Sequence, residues 1–358
     1  MKKILKFLGI LILLVLLAAG ALLGYLSLTE YKPAEVEPAA VSGNENAAAV
    51  YAPGQELTLV SWNIGYGALG DNADFFMDGG KGVKTADRER VMQNLNGIAE
   101  QLGQLNLDLI LLQEIDRDSE RSWGIRETDW MRERFPDCAA VFANNFKVPY
   151  VPYPIPPIGR VDSGILTLSR APIASAERYQ LPCPFSWPIR LANLKRCLLS
   201  ARIPLEGTER ELVVVNLHLE AYDSGEGKVA QTAMLARIFR EEAEKGNYVI
   251  AGGDFNQLCS NIENPWPVYP DKWLPGVVDA EAFPGMLTLL MDPAVPTCRS
   301  LDRPLAGADP AQFQFYVIDG FIVSNNVEVE SLQTLDLGFV CSDHNPVQLR
   351  VKLLPSED

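Results

Sequence analysis

Residues 248–257 read YVIAGGDFNQ, a β-branched apolar run that stops on Gly252 and Gly253 and places Asp254 and Asn256 directly behind them. The run is apolar at consecutive positions, which marks a strand buried on both faces in the middle of a sheet. Gly, Asp and Asn are ordinary turn formers, so a strand followed by a solvated turn is the plainest interpretation. Whether these polar residues do more depends on what the other strand ends carry.

Similar runs recur along the chain: LTLVSWN (57–63), DLILLQE (108–114), SGILTLS (163–169), ELVVVNLHLE (211–220), FYVIDGFIVS (315–324) and NPVQLRVKL (345–353). Helical stretches separate them. RERVMQNLNGIAEQL puts Val91, Leu95, Ile98 and Leu102 on one face, with Asp87 as its expected N-cap. VAQTAMLARIFREEAEKG shows a helical period through Ala230, Met234, Ile238 and Phe239. Strand-rich segments with helices between them predict two sheets packed face to face with helices outside.

Five of the apolar runs carry a polar or ionisable group at or near one end: Asn63, Glu114, His218, Asp254 with Asn256, and Asp343 with His344. Asp319 falls inside FYVIDGFIVS, where a charge is expensive unless it is paired. The chain has only two histidines and both belong to this set. Three carboxylates brought together would repel one another, and a hard divalent cation with oxygen ligands relieves that repulsion. With so few histidines and no clustered thiols, magnesium or manganese suits the set better than zinc.

The segments SWNIGYG, LLQEID, VDSGILTLSR, VVNLHLE, AGGDFNQ, VIDGFIVS and SDHNPV, in this order, resemble the endonuclease/exonuclease/phosphatase superfamily. That group includes pancreatic-type deoxyribonuclease, abasic-site endonucleases, inositol polyphosphate 5-phosphatases and magnesium-dependent sphingomyelinases. The resemblance covers about residues 57–354 and implies a four-layer α/β sandwich with two mixed β-sheets inside. It also implies that Glu114 is the principal ligand of Mg²⁺ or Mn²⁺, with Asn63 and Asp343 near the same ion. Asp254 would orient or deprotonate the attacking water, Asn256 would hold a phosphate oxygen, and His344 would sit on the phosphoryl group, oriented by Asp319. His218 stands where the deoxyribonuclease and sphingomyelinase branches have histidine; the abasic endonucleases differ there. The implied activity is metal-dependent hydrolysis of a phosphate ester by in-line attack of water. An anchored or secreted nuclease and a catalytically silent surface binding module of the same fold are the competing expectations.

The N-terminus locates this chemistry. Lys2, Lys3 and Lys6 precede an uncharged run from Phe7 to Thr29, which as a helix spans about 34 Å, roughly one bilayer core. Ala19, Gly20 and Ala21 resemble a signal-peptide cleavage site, but Leu22, Leu23, Tyr25 and Leu26 continue the run beyond the roughly 7 to 15 apolar residues of a signal peptide. Residues 1–29 are therefore expected to be an uncleaved single-pass anchor, with the lysines cytoplasmic and the catalytic domain extracytoplasmic. Residues 30–56, rich in Pro, Ala and Glu without a sustained period, are expected to be a linker, and 57–354 the catalytic domain.

The formal net charge of −15 counts against nucleic acid as partner, because phosphate backbones would be repelled. Two Pro- and aromatic-rich stretches, NNFKVPYVPYPIPPIGRVDSG (144–164) and LPCPFSWPIRLANLKR (181–196), are expected either to cover a sheet edge or to wall a pocket for an apolar or small organic leaving group, such as a lipid. Arg160, Arg190, Lys195 and Arg196 are candidate phosphate contacts, and a monomer is expected. The six cysteines have no metal-type spacing, and sequence does not choose among their possible disulfides.

Overall fold

The computed structural model describes residues 1–270, 272–283 and 285–355. Two seven-stranded sheets form its centre. The first runs, edge to edge, through Val36–Pro38, Ser175–Gln180, Cys197–Pro204, Glu211–His218, Tyr248–Asp254, Asp319–Ser324 and Leu287–Leu290. The second runs through Val327–Thr334, Val347–Leu353, Glu56–Asn63, Leu109–Asp116, Gly159–Ser169, Ala139–Val151 and Val41–Ser42. Tyr248–Asp254 is parallel to Glu211–His218, and Glu56–Asn63 is parallel to Leu109–Asp116, while the remaining neighbours are antiparallel, so both sheets are mixed.

The alternation of side chains along each strand builds the layers. Leu109, Leu111 and Ile250 face inward, into a core shared by the two sheets. Ile110 and Leu112 face outward, against Val91, Leu95, Ile98 and Leu102 of the helix Arg88–Gln104. On the opposite side Val249 and Ala251 meet Leu235, Ile238 and Phe239 of the helix Glu226–Glu244. The result is the expected α/β sandwich with helices outside. Asp87 caps its helix by accepting a hydrogen bond from the Arg90 N–H at 2.8 Å.

The structure differs from the sequence expectations in four places. The buried face of Glu226–Glu244 runs through Gln231, Leu235, Ile238, Phe239 and Glu242 rather than through Ala230, which is exposed; polar residues with buried partners had hidden the true stripe. Residues 30–56 are not a free tether. They add one edge strand to each sheet, and Tyr51 is fully buried with its hydroxyl donating to the Asp108 carbonyl. Strands of two and three residues are too short to show a period, so their pairing leaves no pattern in the sequence. The segment 144–164 is mostly a long hairpin, Ala139–Val151 against Gly159–Ser169, with only the tip outside the ladder. FYVIDGFIVS divides into Phe315–Tyr316 and Asp319–Ser324, so Asp319 begins a strand rather than interrupting one. All six cysteines are free thiols.

Candidate active site

The parallel strand pairs of both sheets end at the same edge of the sandwich. Glu56–Asn63 and Leu109–Asp116 deliver Asn63 and Glu114, while Glu211–His218 and Tyr248–Asp254 deliver His218 and Asp254. Gly252 and Gly253 are required by this close assembly. A Cβ on Gly253 would lie 1.9 Å from the Leu217 carbonyl oxygen, and one on Gly252 would lie 2.4 Å from the Phe321 ring. The Leu109–Asp116 strand bulges between Leu112 and Ile115, and Glu114 takes a left-handed backbone with φ of 49°. Bulges of this kind re-aim a side chain beside a functional site, and this one turns Glu114 toward the other sheet.

Asp254 is the meeting point. Its Oδ1 accepts from the Asn256 N–H at 2.8 Å, so the turn read from the sequence does form, with Asn256 at φ of 51°. Its Oδ2 faces the site, 3.1 Å from Asn63 Nδ2, 3.4 Å from His218 Nε2 and 3.8 Å from His344 Nε2. Asn63 Nδ2 also lies 3.3 Å from Glu114 Oε1, and the Asn63 oxygen accepts from the Gly65 N–H. Asn63 therefore acts as a donor placed between two carboxylates. His344 Nδ1 is 2.8 Å from Asp319 Oδ2, and Asp319 pairs directly with Asp254 in the ladder. The Asn256 amide donates one hydrogen to the Leu219 carbonyl, which leaves its second for a ligand.

Electrostatics separate the two histidines. Burial lowers both, but the Asp319 carboxylate and the neighbouring Cys298 hold His344 well above the usual imidazole range. His218 is pushed well below it, by burial and then by Arg196, His344 and Arg121. The two shifts therefore run in opposite directions, favouring the charged ring at His344 and the neutral ring at His218. Burial and the Asp319 charge raise Asp254. Asp343 is pushed up to about 6, by burial first, with the Glu114 charge adding and His344 opposing.

All eight residues expected at the site lie at this edge, and all but Asn63 and Asp319 line one cavity of about 750 Å³. Among the described residues, two groups of three have ligand atoms within 4.8 Å of one another: Cys298, Asp343 and His344, and Asp254, Asp319 and His344. Glu114 belongs to neither. Its oxygen is nonetheless 4.0 Å from His218 Nε2, and its charge is one that raises Asp343. Carboxylates raised in this way, with oxygen as their donor atom, fit a hard cation.

Of the four candidate cations, only Arg196 lines the cavity, beside Glu220. Arg160 is spent on Asp118, and Arg190 and Lys195 on Glu30. Sequence reasoning missed Arg121 and Arg299, both lining the cavity. Arg121 holds Asp116 with two hydrogen bonds and stacks 3.6 Å from the Tyr66 ring centroid. It sits in the acidic stretch IDRDSER, which looks like a solvated loop, so no signal distinguished it. Cys298, buried against His344, carried no signal either.

The Endonuclease/Exonuclease/phosphatase family pattern matches residues 60–344. No curated protein matches the chain. Among solved structures, an endonuclease/exonuclease/phosphatase from Beutenbergia cavernae is 20% identical with a TM-score of 0.53, covering 84% of this chain and 72% of that one. One from Bacteroides vulgatus is 14% identical with a TM-score of 0.54, covering 84% and 99%. A mannosyl-6-phosphatase of Bacteroides thetaiotaomicron is 17% identical with a TM-score of 0.52, covering 82% and 99%. At these identities the likeness concerns the fold. The match of the family pattern over most of the chain, on a two-sheet sandwich whose strand ends bring the motif residues together, shows that the chain belongs to the endonuclease/exonuclease/phosphatase family, whose members are phosphoester hydrolases.

Proposed function

We propose that the chain hydrolyses the phosphate ester of an apolar alcohol, outside the cytoplasm, with a divalent cation held by Glu114 and Asp343 and with Asn63 beside it. Magnesium or manganese, when bound there, supplies positive charge to a phosphate oxygen. Asp254 orients a water molecule and takes its proton as the water oxygen bonds to phosphorus. The ester P–O bond breaks, and the departing oxygen leaves as the alcohol with a proton from His344 Nε2. That nitrogen lies 3.8 Å from Asp254 Oδ2, beyond direct transfer, so solvent takes the proton from Asp254 and returns one to His344 once the products have left. Asp319 keeps His344 charged and fixes its ring through Nδ1. His218, Asn256, Arg196 and Arg121 surround the phosphoryl position with donors and positive charge.

The observation that carries this reading is the convergence of Asn63, His218 and His344 on a single oxygen of Asp254. Apolar side chains along the cavity, among them Phe75, Phe76, Ile158 and Phe185, support an apolar alcohol as the leaving group. The N-terminal helix Lys2–Leu28 is long and apolar enough to cross a membrane or to serve as a signal sequence. Its lysines at the N-terminal end support an anchor with the catalytic domain extracytoplasmic.

Full-length protein assayed on bis(p-nitrophenyl) phosphate tests the reading. Activity should vanish with EDTA and return with Mg²⁺ or Mn²⁺. Asp254→Asn should lower it by about 10³-fold with an unchanged circular dichroism spectrum. Near-wild-type turnover by that variant would sink the assignment.

A further inference from the structure

The anchor does not end before the catalytic domain begins. Leu26, in its last turn, is only 3% exposed, and with Leu22 and Leu23 it packs against Phe146, Val148, Val151, Val161 and Leu191. Leu23 and Leu26 also line the same cavity as Asp254 and His344. The junction is fixed by polar contacts. Trp187 Nε1 donates to Ser27 Oγ at 3.2 Å, and Glu30 lies 3.2 Å from both Lys195 Nζ and Arg190 Nε.

Length turns this contact into a position. A hydrocarbon core of about 30 Å takes up roughly 20 helical residues, so a run that starts at Phe7 reaches the far side of the core at about residue 26. Leu22, Leu23 and Leu26 therefore lie at the outer boundary of the bilayer, and a domain packed on them cannot stand away from it. Around the same end of the helix the domain exposes large apolar side chains: Ile155 at 94%, Tyr153 at 68%, Ile189 at 62% and Trp187 at 53%. They belong to the hairpin tip and the 181–196 loop, the two Pro- and aromatic-rich stretches singled out in the sequence. Tyr153 and Ile189 line the cavity as well.

We infer that these tips insert into the outer face of the membrane that holds the anchor, and that the cavity takes its substrate, a phosphate ester of a membrane lipid, sideways from that bilayer. This deepens the proposed hydrolase function and rests on it. The lipid chain lies along Leu23, Leu26, Ile158 and Ile189, while the phosphate reaches the Asp254 end. One water is consumed, the P–O bond to the lipid alcohol breaks, and the two products separate by partition between bilayer and water. An aromatic residue such as Trp187 favours the interfacial depth assigned to it here.

The test uses the full chain reconstituted in phosphatidylcholine vesicles containing phosphatidylglycerol and phosphatidic acid, which present a diester and a monoester. Brominated phosphatidylcholine should quench the part of the tryptophan emission that Trp187→Phe removes. The double variant Ile155→Glu, Trp187→Gln, in which neither residue lines the cavity, should hydrolyse vesicle lipid about tenfold more slowly. It should turn over water-soluble bis(p-nitrophenyl) phosphate at the wild-type rate. Unquenched Trp187 emission would overturn the docking, whatever the activities. Quenched emission with hydrolysis of the soluble ester but of none of the three vesicle phospholipids would overturn the lipid substrate. Failure on the soluble ester too would instead remove the hydrolase reading beneath it.

Discussion

The smallest decisive unit is the Asp319–His344 pair. The imidazole is buried, which favours its neutral form, yet a carboxylate 2.8 Å from Nδ1 reverses that preference. Because the folded pKa is raised, the stabilisation from protonated His344 is fully present below the usual imidazole value and is lost as pH rises through the folded one. Activity that needs the imidazolium should therefore persist well above pH about 6.5 before its alkaline limb falls. Asp319 touches no substrate in this scheme; it positions and charges the ring. Asp319→Asn should lower turnover by about 10- to 100-fold and move the alkaline limb toward acid, while Asp319→Glu should restore part of both. An alkaline limb that stays in place in Asp319→Asn would assign the limb to another group and remove Asp319 from this role. The sequence marked this pair only weakly, since a charge among apolar residues announces a partner without naming it.

At the scale of elements, the strands were legible where both faces are buried and long enough to show it. Leu109–Asp116 and Tyr248–Asp254 could be seen because each buries nearly every residue between a sheet and a helix. The short edge strands before Tyr51 and the bulge at Glu114 were not, because backbone pairing and one extra residue leave no side-chain pattern. Nor did the sequence show how the sheets are joined beneath the site. There Gln113 Nε2 donates to Asn216 Oδ1 at 2.8 Å, and Asn216 Nδ2 donates to the carbonyls of Leu112 and Leu166. Both side chains are fully buried, so removing one strands its partners in a dry core. Asn216→Leu should destabilise the domain by about 2 to 3 kcal/mol, read as a lower denaturant midpoint. Gly253→Ala should be worse still, since its Cβ would overlap the Leu217 carbonyl oxygen and the parallel pair could not close. Normal stability in the alanine variant would mean that the two strands do not approach as described.

Across the whole molecule, the fold concentrates acidic side chains that a net charge of −15 does nothing to neutralise. Asp343 is raised to about 6 and Asp254 is raised by burial and by Asp319. Carboxyls raised on folding bind protons more tightly in the native state, so without a cation the domain should lose stability as pH climbs from about 4 toward 7. A divalent ion held as proposed by Glu114 and Asp343, with Asn63 beside it, would remove that cost and add its own binding energy to the folded state alone. At a hundred times its dissociation constant, such an ion contributes about 2.7 kcal/mol, on the order of 5 °C in melting temperature for a domain of this size. Melting curves of the full chain in detergent, recorded from pH 5 to 8, should fall with pH in EDTA and flatten in saturating Mg²⁺ or Mn²⁺. Glu114→Gln should abolish most of the difference between the two series, because it removes the ligand proposed to hold the ion. The readout needs no substrate and no turnover. If EDTA and metal give superimposable curves at every pH, the carboxylates at this sheet edge are not a cation site, and the water-activating scheme built on them loses its electrostatic foundation.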